Sequence, residues 1–287
     1  MSLTYFSPVT RVLLPTIFAN FSIQIVGWGI SAALQTEKIY DLTGSTSFLL
    51  CTFLSLAKPF AKNVVQIFHP RQILASGTTV IWASYLGLFL FNRALAHDDK
   101  RFERVKKTPS IFLTYWLIQS IWVGMTALPV YLTNSISSEF HPQLGVKDYV
   151  GLSIWAFGFT FEVIANYQKQ QWRKNIGKDY KHSFISSGLW SLSRHPNYFG
   201  ECMLWFGSHL LCSSAFSIAV HKQIMSLWIS RLAMISPIFV TFLITRVSGI
   251  PLLERENDRR LKDVVAYWKY KKETSMFVPT WRRSTAL

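Results

Sequence analysis

Residues 110–133, SIFLTYWLIQSIWVGMTALPVYLT, run for 24 positions without an Asp, Glu, Lys, Arg or His. A helix rises about 1.5 Å per residue, so the stretch reaches ~36 Å, beyond the ~30 Å hydrocarbon core of a bilayer. It predicts a membrane span. Working outward, apolar runs recur at 12–34, 47–68, 72–91, 149–167, 198–214 and 223–245. The expectation is an all-α, polytopic membrane bundle of about seven transmembrane helices. Lys58 and Pro59 interrupt the second run, which predicts a kink or two shorter pieces. The sixth run is short. Only 16% of the chain is charged and half is hydrophobic, against about 25% charged in soluble domains. No repeat or low-complexity tract appears, so a single membrane domain over 1–287 is expected. The first run holds Asn20 and Gln24 and is too long and polar for a cleaved signal peptide. Its Gly27 and Gly29 read as close helix packing, because no GxGxxG or P-loop pattern is present.

The chain carries 30 Lys and Arg against 15 Asp and Glu. Connections 35–46, 93–109 and 168–197 and the segment from 246 hold 1, 6, 6 and 10 of the basic residues. Connections on the opposite side hold Arg11, Arg71, Lys147 and Lys222. Basic residues favour the cytosolic side, so a non-cytosolic N-terminus and a cytosolic C-terminal tail are expected. Pairs such as Lys106–Lys107 and Arg282–Arg283 read most simply as topology signals or contacts to anionic lipid. No zinc-finger, helix-turn-helix or RNA-binding pattern accompanies them, which argues against nucleic acid. Cys51, Cys202 and Cys212 form no CxxC pair and the seven His no HExxH, so neither disulfides nor a metal site is indicated. The acids of 98–102, DDKRF, suggest no chemistry by their spacing.

Three segments offer chemistry. In 161–173, FEVIANYQKQQWR, helical spacing puts Glu162, Asn166, Lys169 and Arg173 on one stripe. An acid inside a span is costly unless it faces a polar interior, which singles out Glu162; an internal ion pair is the alternative. Lys169 and Arg173, one turn apart, suit a phosphate clamp, or else simply snorkel from a helix end. In 188–201, GLWSLSRHPNYFGE, Pro196 ends what precedes it and opens a helix. Arg194, His195, Asn197 and Tyr198 then gather at a bend beside a positive helix end suited to an anion. Glu201 lies one turn into that helix. In the tail, 251–279, a helix is expected to about Lys272, with Glu254, Asp258, Leu261 and Val265 on one face and Tyr267 and Tyr270 near its end. It either lies on the membrane surface or closes over a ligand.

GLWSLSRHPNYFGE, preceded by ANYQKQQWRK and followed by LLERENDRR and AYWKYKKETSMFVP, resembles the steroid 5-alpha-reductase C-terminal-like superfamily. The likeness extends through YDLTGSTSFL, DDKRFER and LPVYLTNS to a branch of multi-span membrane proteins known by a domain of unknown function. The resemblance implies NADPH held on the cytosolic side by Lys169, Arg173, Trp190, Arg194, His195, Asn197 and Tyr198. An acid before the terminal helix, Glu254 or Asp258, and a closing tyrosine, Tyr270, complete that set. It also implies hydride transfer to a C=C bond of a sterol-like or other lipid, with Tyr198, Glu162 and Glu201 as proton-donor candidates. Residues 1–147 would then shape the substrate side, with Gln119, Tyr115 and Asn134 as contacts, and 148–287 the cofactor side. The expected location is the endoplasmic reticulum; oligomeric state is not readable. No retention or lipidation signal is evident. Two other readings stand beside this one. R-H-P-x-Y and an acidic, Tyr-bearing tail also resemble isoprenylcysteine and lipid methyltransferases using S-adenosylmethionine, which carries no phosphate for Lys169 and Arg173. A non-enzymatic sterol-binding protein on the same scaffold is the third.

Overall fold

The computed structural model describes residues 7–57, 68–96, 102–177 and 182–281. Its elements are α1 (Pro8–Leu34), α2 (Tyr40–Ala57), α3 (Pro70–Ala96), α4 (Pro109–Thr126), α5 (Leu128–Ser135), α6 (Val146–Ile176), α7 (Pro196–Ser213), α8 (Phe216–His221), α9 (Leu227–Leu232), α10 (Ile235–Phe242), α11 (Ile250–Arg260) and α12 (Val265–Glu273). No strand occurs among the described residues. Lys58, Pro59, most of the DDKRF segment and Arg282–Arg283 lie outside them.

Local chemistry sets the helix ends. Ser7 caps α1 by accepting from the Thr10 amide, and Pro8 occupies its first turn. Pro109 and Pro196 open α4 and α7 in the same way. Pro129 falls where the 110–133 run would continue, and α4 and α5 meet at a bend of 52°. Four stretches, Pro8–Leu34, Pro70–Leu95, Val146–Ile176 and Leu227–Arg260, are long and apolar enough to cross a membrane. The bent α4–α5 pair makes a fifth. Helices α2 and α7, where the sequence predicts two more spans, have 18 residues each but fall short in mean hydropathy. Residues such as Asp41, Glu201 and His209 lower it.

The chain divides into two compact units, Met1–Gly151 with Ser208–Ser236, and Leu152–Gly207 with Pro237–Leu287. The first has an apolar cluster around Val130, Leu132, Leu211 and Phe216 and, beside it, a buried polar seam. Asn20 donates to the Ser120 carbonyl at 2.7 Å and Gln24 to the Ser47 hydroxyl at 3.0 Å. Asn134 donates to Ser55 and Ser76. Such bonds hold helices together where burial of apolar surface supplies little drive. Gly27 is required by packing, since a Cβ there would sit 2.5 Å from the Trp116 ring. Gly29, expected to do the same, faces open space, so the packing argument fails there. Arg71 is not a loop charge but fully buried. Its Nε and Nη2 donate to the two Asp148 oxygens at 2.7 and 2.8 Å, and its Nη1 to the Pro142 carbonyl at 2.9 Å.

In the second unit α6 and α7 cross at two glycines. A Cβ on Gly200 would lie 2.6 Å from the Gly158 carbonyl oxygen and 2.7 Å from the Glu162 amide. Only glycine lets the two backbones approach so closely. The tail departs from expectation. One helix to Lys272 is replaced by α11 and α12, separated at 261–264 where Val264 is extended. The break lets Leu261, Tyr267 and Tyr270 share one buried cluster with Phe184 and Val264. It also turns Val265 outward, 83% exposed, so Val265 does not share the face of Glu254 and Asp258.

Candidate functional site

The site grows from α6. Gln168 accepts from the Leu189 amide at 2.9 Å, which ties the loop before α7 to this helix. Gly188 makes that approach possible with φ of +59°, a left-handed conformation that favours glycine. Trp190 follows, its indole N–H donating to the Ala165 carbonyl at 3.0 Å. Lys169 stands over the Trp190 ring, 4.7 Å from its centre.

The loop then reaches the bend. Ser193 donates to the Phe277 carbonyl at 2.8 Å, and the Arg194 amide to Ser275 at 2.9 Å. The Thr280 amide donates back to Leu192 at 3.0 Å. Residues 275–280 thus form a strap along 192–194. Tyr270 adds a further tie, its hydroxyl donating to the Trp190 carbonyl at 2.6 Å. An open cleft of about 490 Å³ lies alongside, lined by Ser186, Ser187, Gly188, Ser191, Leu192 and Trp281.

Charge converges on Glu254. Arg194 Nη1 lies 2.7 Å from one carboxylate oxygen and His195 Nε2 2.8 Å from the other. Lys271 approaches the first oxygen at 3.1 Å. Lys271 also pairs with Asp258, which accepts from the Tyr267 hydroxyl at 2.8 Å. The two acids left open by the sequence therefore have separate posts. Glu254 gathers Arg194 and His195 from the bend together with Lys271, and Asp258 holds the tail's own Tyr267 and Lys271.

Burial pushes the His195 pKa below its ordinary value of 6.5, against the opposing pull of Glu254. Lys169 and Arg194 add to the lowering, which places the Lys169 charge within electrostatic reach of this imidazole. The Tyr198 ring stacks on His195 with centroids 5.9 Å apart. Burial, then the bond to Asp258, raises the Tyr267 pKa well above its ordinary value and keeps its hydroxyl a donor. Arg194 Nε and His195 Nδ1 are buried with no hydrogen-bond partner among the described residues. Such orphaned polar atoms are uncommon and call for a partner.

Of the residues singled out from sequence, Lys169, Trp190, Arg194, His195, Tyr198, Glu254 and Tyr270 meet in this network, with Asp258 at its edge. Arg173 sits one turn beyond Lys169 on α6, and Asn197 directly follows Pro196; both are half-buried. Glu162 is buried beside the glycine crossing, and Glu201 is half-buried one turn into α7. Sequence reasoning missed Gln168, Ser193 and Lys271. Lys271 is 13 residues from Asp258, across a helix break, where no single periodicity connects them. Gly188, a residue type suited to a close backbone approach, was the available signal for the Gln168 contact.

Among known proteins, the chain is 24% identical over 231 residues to the Uncharacterized protein C594.04c of Schizosaccharomyces pombe, covering 70% of this chain. That match takes in 63% of the relative's own length. No solved structure matches. The sequence pattern described as Protein of unknown function (DUF1295) matches residues 27–274, and with that span covered the chain belongs to the DUF1295 family.

Proposed function

We propose that the protein is an NADPH-dependent reductase of a C=C bond in a sterol-like or other lipid. The observation that carries this is the meeting of three cations from three segments, Lys169, Arg194 and Lys271, with the His195 imidazole, beside the rings of Trp190, Tyr198 and Tyr267. A phosphate-rich, flat-ringed dinucleotide matches both features. The orphaned Arg194 Nε and His195 Nδ1 fit it as well. Arg194 Nε would donate to a phosphate, and Nδ1 of a neutral His195 would accept from a ribose hydroxyl or amide. Lys169 and Arg173 would hold phosphate from the α6 stripe, and Asn197 an amide or hydroxyl.

When bound, NADPH supplies the hydride. The chain's own groups orient the partners and deliver a proton to the neighbouring carbon. Tyr198 and Glu201 on α7 and Glu162 on α6 are the candidate donors. A lipid would enter from the bilayer, consistent with five apolar stretches of spanning length. The same proposal includes α2 and α7 as two further crossings, a cytosolic site, a non-cytosolic N-terminus and residence in the endoplasmic reticulum. S-adenosylmethionine fits this cluster less well, since it carries no phosphate for Lys169, Arg173 and Arg194.

The test is a thermal shift of the purified full chain in detergent. NADPH is expected to stabilise it and S-adenosylmethionine to leave it unchanged; the opposite order would overturn the proposal in favour of methyl transfer. No response to either would point to a non-enzymatic sterol binder. The double change Lys169→Ala with Arg173→Ala is expected to weaken NADPH at least about ten-fold more than NADH, one lost charge-assisted contact being worth roughly 1.5–3 kcal/mol. Equal losses would remove these two residues from the 2′-phosphate.

A further inference from the structure

Helix α12 has two working faces. Tyr267, Tyr270 and Lys271 turn inward to the network around Glu254 and Asp258. Val265, Trp268, Lys269 and Lys272 occupy positions i, i+3, i+4 and i+7 of the other face, and all four are exposed. Val265 is 83% and Lys269 72% exposed. Lys262, just before the helix, is 72% exposed, and its carbonyl accepts the Trp268 indole N–H at 2.9 Å, which fixes that ring.

An exposed valine and tryptophan flanked by lysines form an unusual solvent face but a common interfacial one. Exposed charges from 255 to 272 number five cations, Arg255, Arg259, Lys262, Lys269 and Lys272, against two acids, Glu256 and Asp263. Chain continuity supplies the second argument. The apolar run 227–245 leads into the charged helix α11, and four residues then connect α11 to α12. About 16 Å of helix and a connection of at most about 14 Å tether α12 to the end of that run, within reach of the headgroup layer.

We infer that the outward face of α12 docks on anionic lipid headgroups, with Val265 and Trp268 dipping into the interface and Lys262, Lys269 and Lys272 pairing with lipid phosphates and carboxylates. Aromatic rings settle at this level of a bilayer, and each lysine near an anionic surface adds attraction that salt screens. The inference is independent of any catalytic role.

The experiment is hydrogen exchange on the full chain in nanodiscs of phosphatidylcholine alone and of seven parts phosphatidylcholine to three of phosphatidylserine. Amides of 265–273 are expected to exchange on the order of ten-fold more slowly in the anionic discs, and high salt is expected to abolish the difference. The triple change Lys262→Glu, Lys269→Glu and Lys272→Glu is expected to remove it as well. Equal rates in the two discs, a comparison that needs no variant, would overturn the inference. Protection in neutral discs by inorganic phosphate alone would also overturn it, by assigning the face to a free anion.

Discussion

Glu254 sits where the Arg194 and Lys271 cations and the His195 imidazole converge. Removing its charge while keeping its shape, Glu254→Gln, leaves Arg194, His195 and Lys271 without a shared counter-ion. The expected cost is about 2 kcal/mol, typical of hydrogen bonds to charged groups, read as a fall in melting temperature in detergent. His195 adds a pH dependence. Its folded pKa lies below the unfolded 6.5, so the unfolded chain binds the proton more readily. Its contribution is full above pH 6.5 and declines as pH falls below that value. A His195→Asn variant should flatten that part of the profile, and an unchanged slope would show that other groups set it. How these residues meet was only half legible in the sequence. Arg194, His195 and Tyr198 stand within five positions, and their density signals a site unaided. Glu254 is 60 residues from Arg194, and resemblance rather than spacing named it.

Helices were the most legible layer. Charge-free runs and prolines mark α1, α3, α4 and α7, and Pro196 opens α7 as its sequence implies. Helix packing was less so, because a glycine's role depends on what faces it. Gly200→Ala puts a methyl within 2.6 Å of backbone on α6, where nothing flexible can yield. A loss of about 1–3 kcal/mol is expected, with α6 and α7 exchanging amides faster. Gly29→Ala enters open space inside a helix and should stabilise by about 0.5–1 kcal/mol. Thermal melts of the pair test this directly, and a reversed order would contradict the crossing. The tail break escaped the sequence for the same reason. Composition favours one helix, whereas burying Leu261, Tyr267 and Tyr270 together requires two.

At the scale of the molecule, composition conveyed the membrane character and the all-helical fold. It did not settle the number of crossings, because α2 and α7 mix polar and apolar positions. Nor did it disclose the ion pair inside the first unit. Arg71 and Asp148 lie 77 positions apart, and each alone resembles a connecting-loop charge. Asp148→Ala would strand a fully buried guanidinium, at an expected cost of about 3–5 kcal/mol. Replacing both residues by apolar ones of similar size should recover much of that loss. Denaturant or thermal unfolding of the single and double variants would distinguish the two cases, and a mild single variant would refute the burial argument.

The strap has a consequence for biosynthesis. Loop 192–194 leaves the ribosome more than eighty residues before Phe277, to which Ser193 bonds. For the first 60 of those residues Arg194 and His195 lack their carboxylate, and for the whole interval they lack their covering segment. A chain truncated before residue 254 would therefore display a bare loop, open to protease, and one that includes 275–280 and has been released a protected one. Limited proteolysis of the two chains would show whether the loop closes only once 275–280 has joined it.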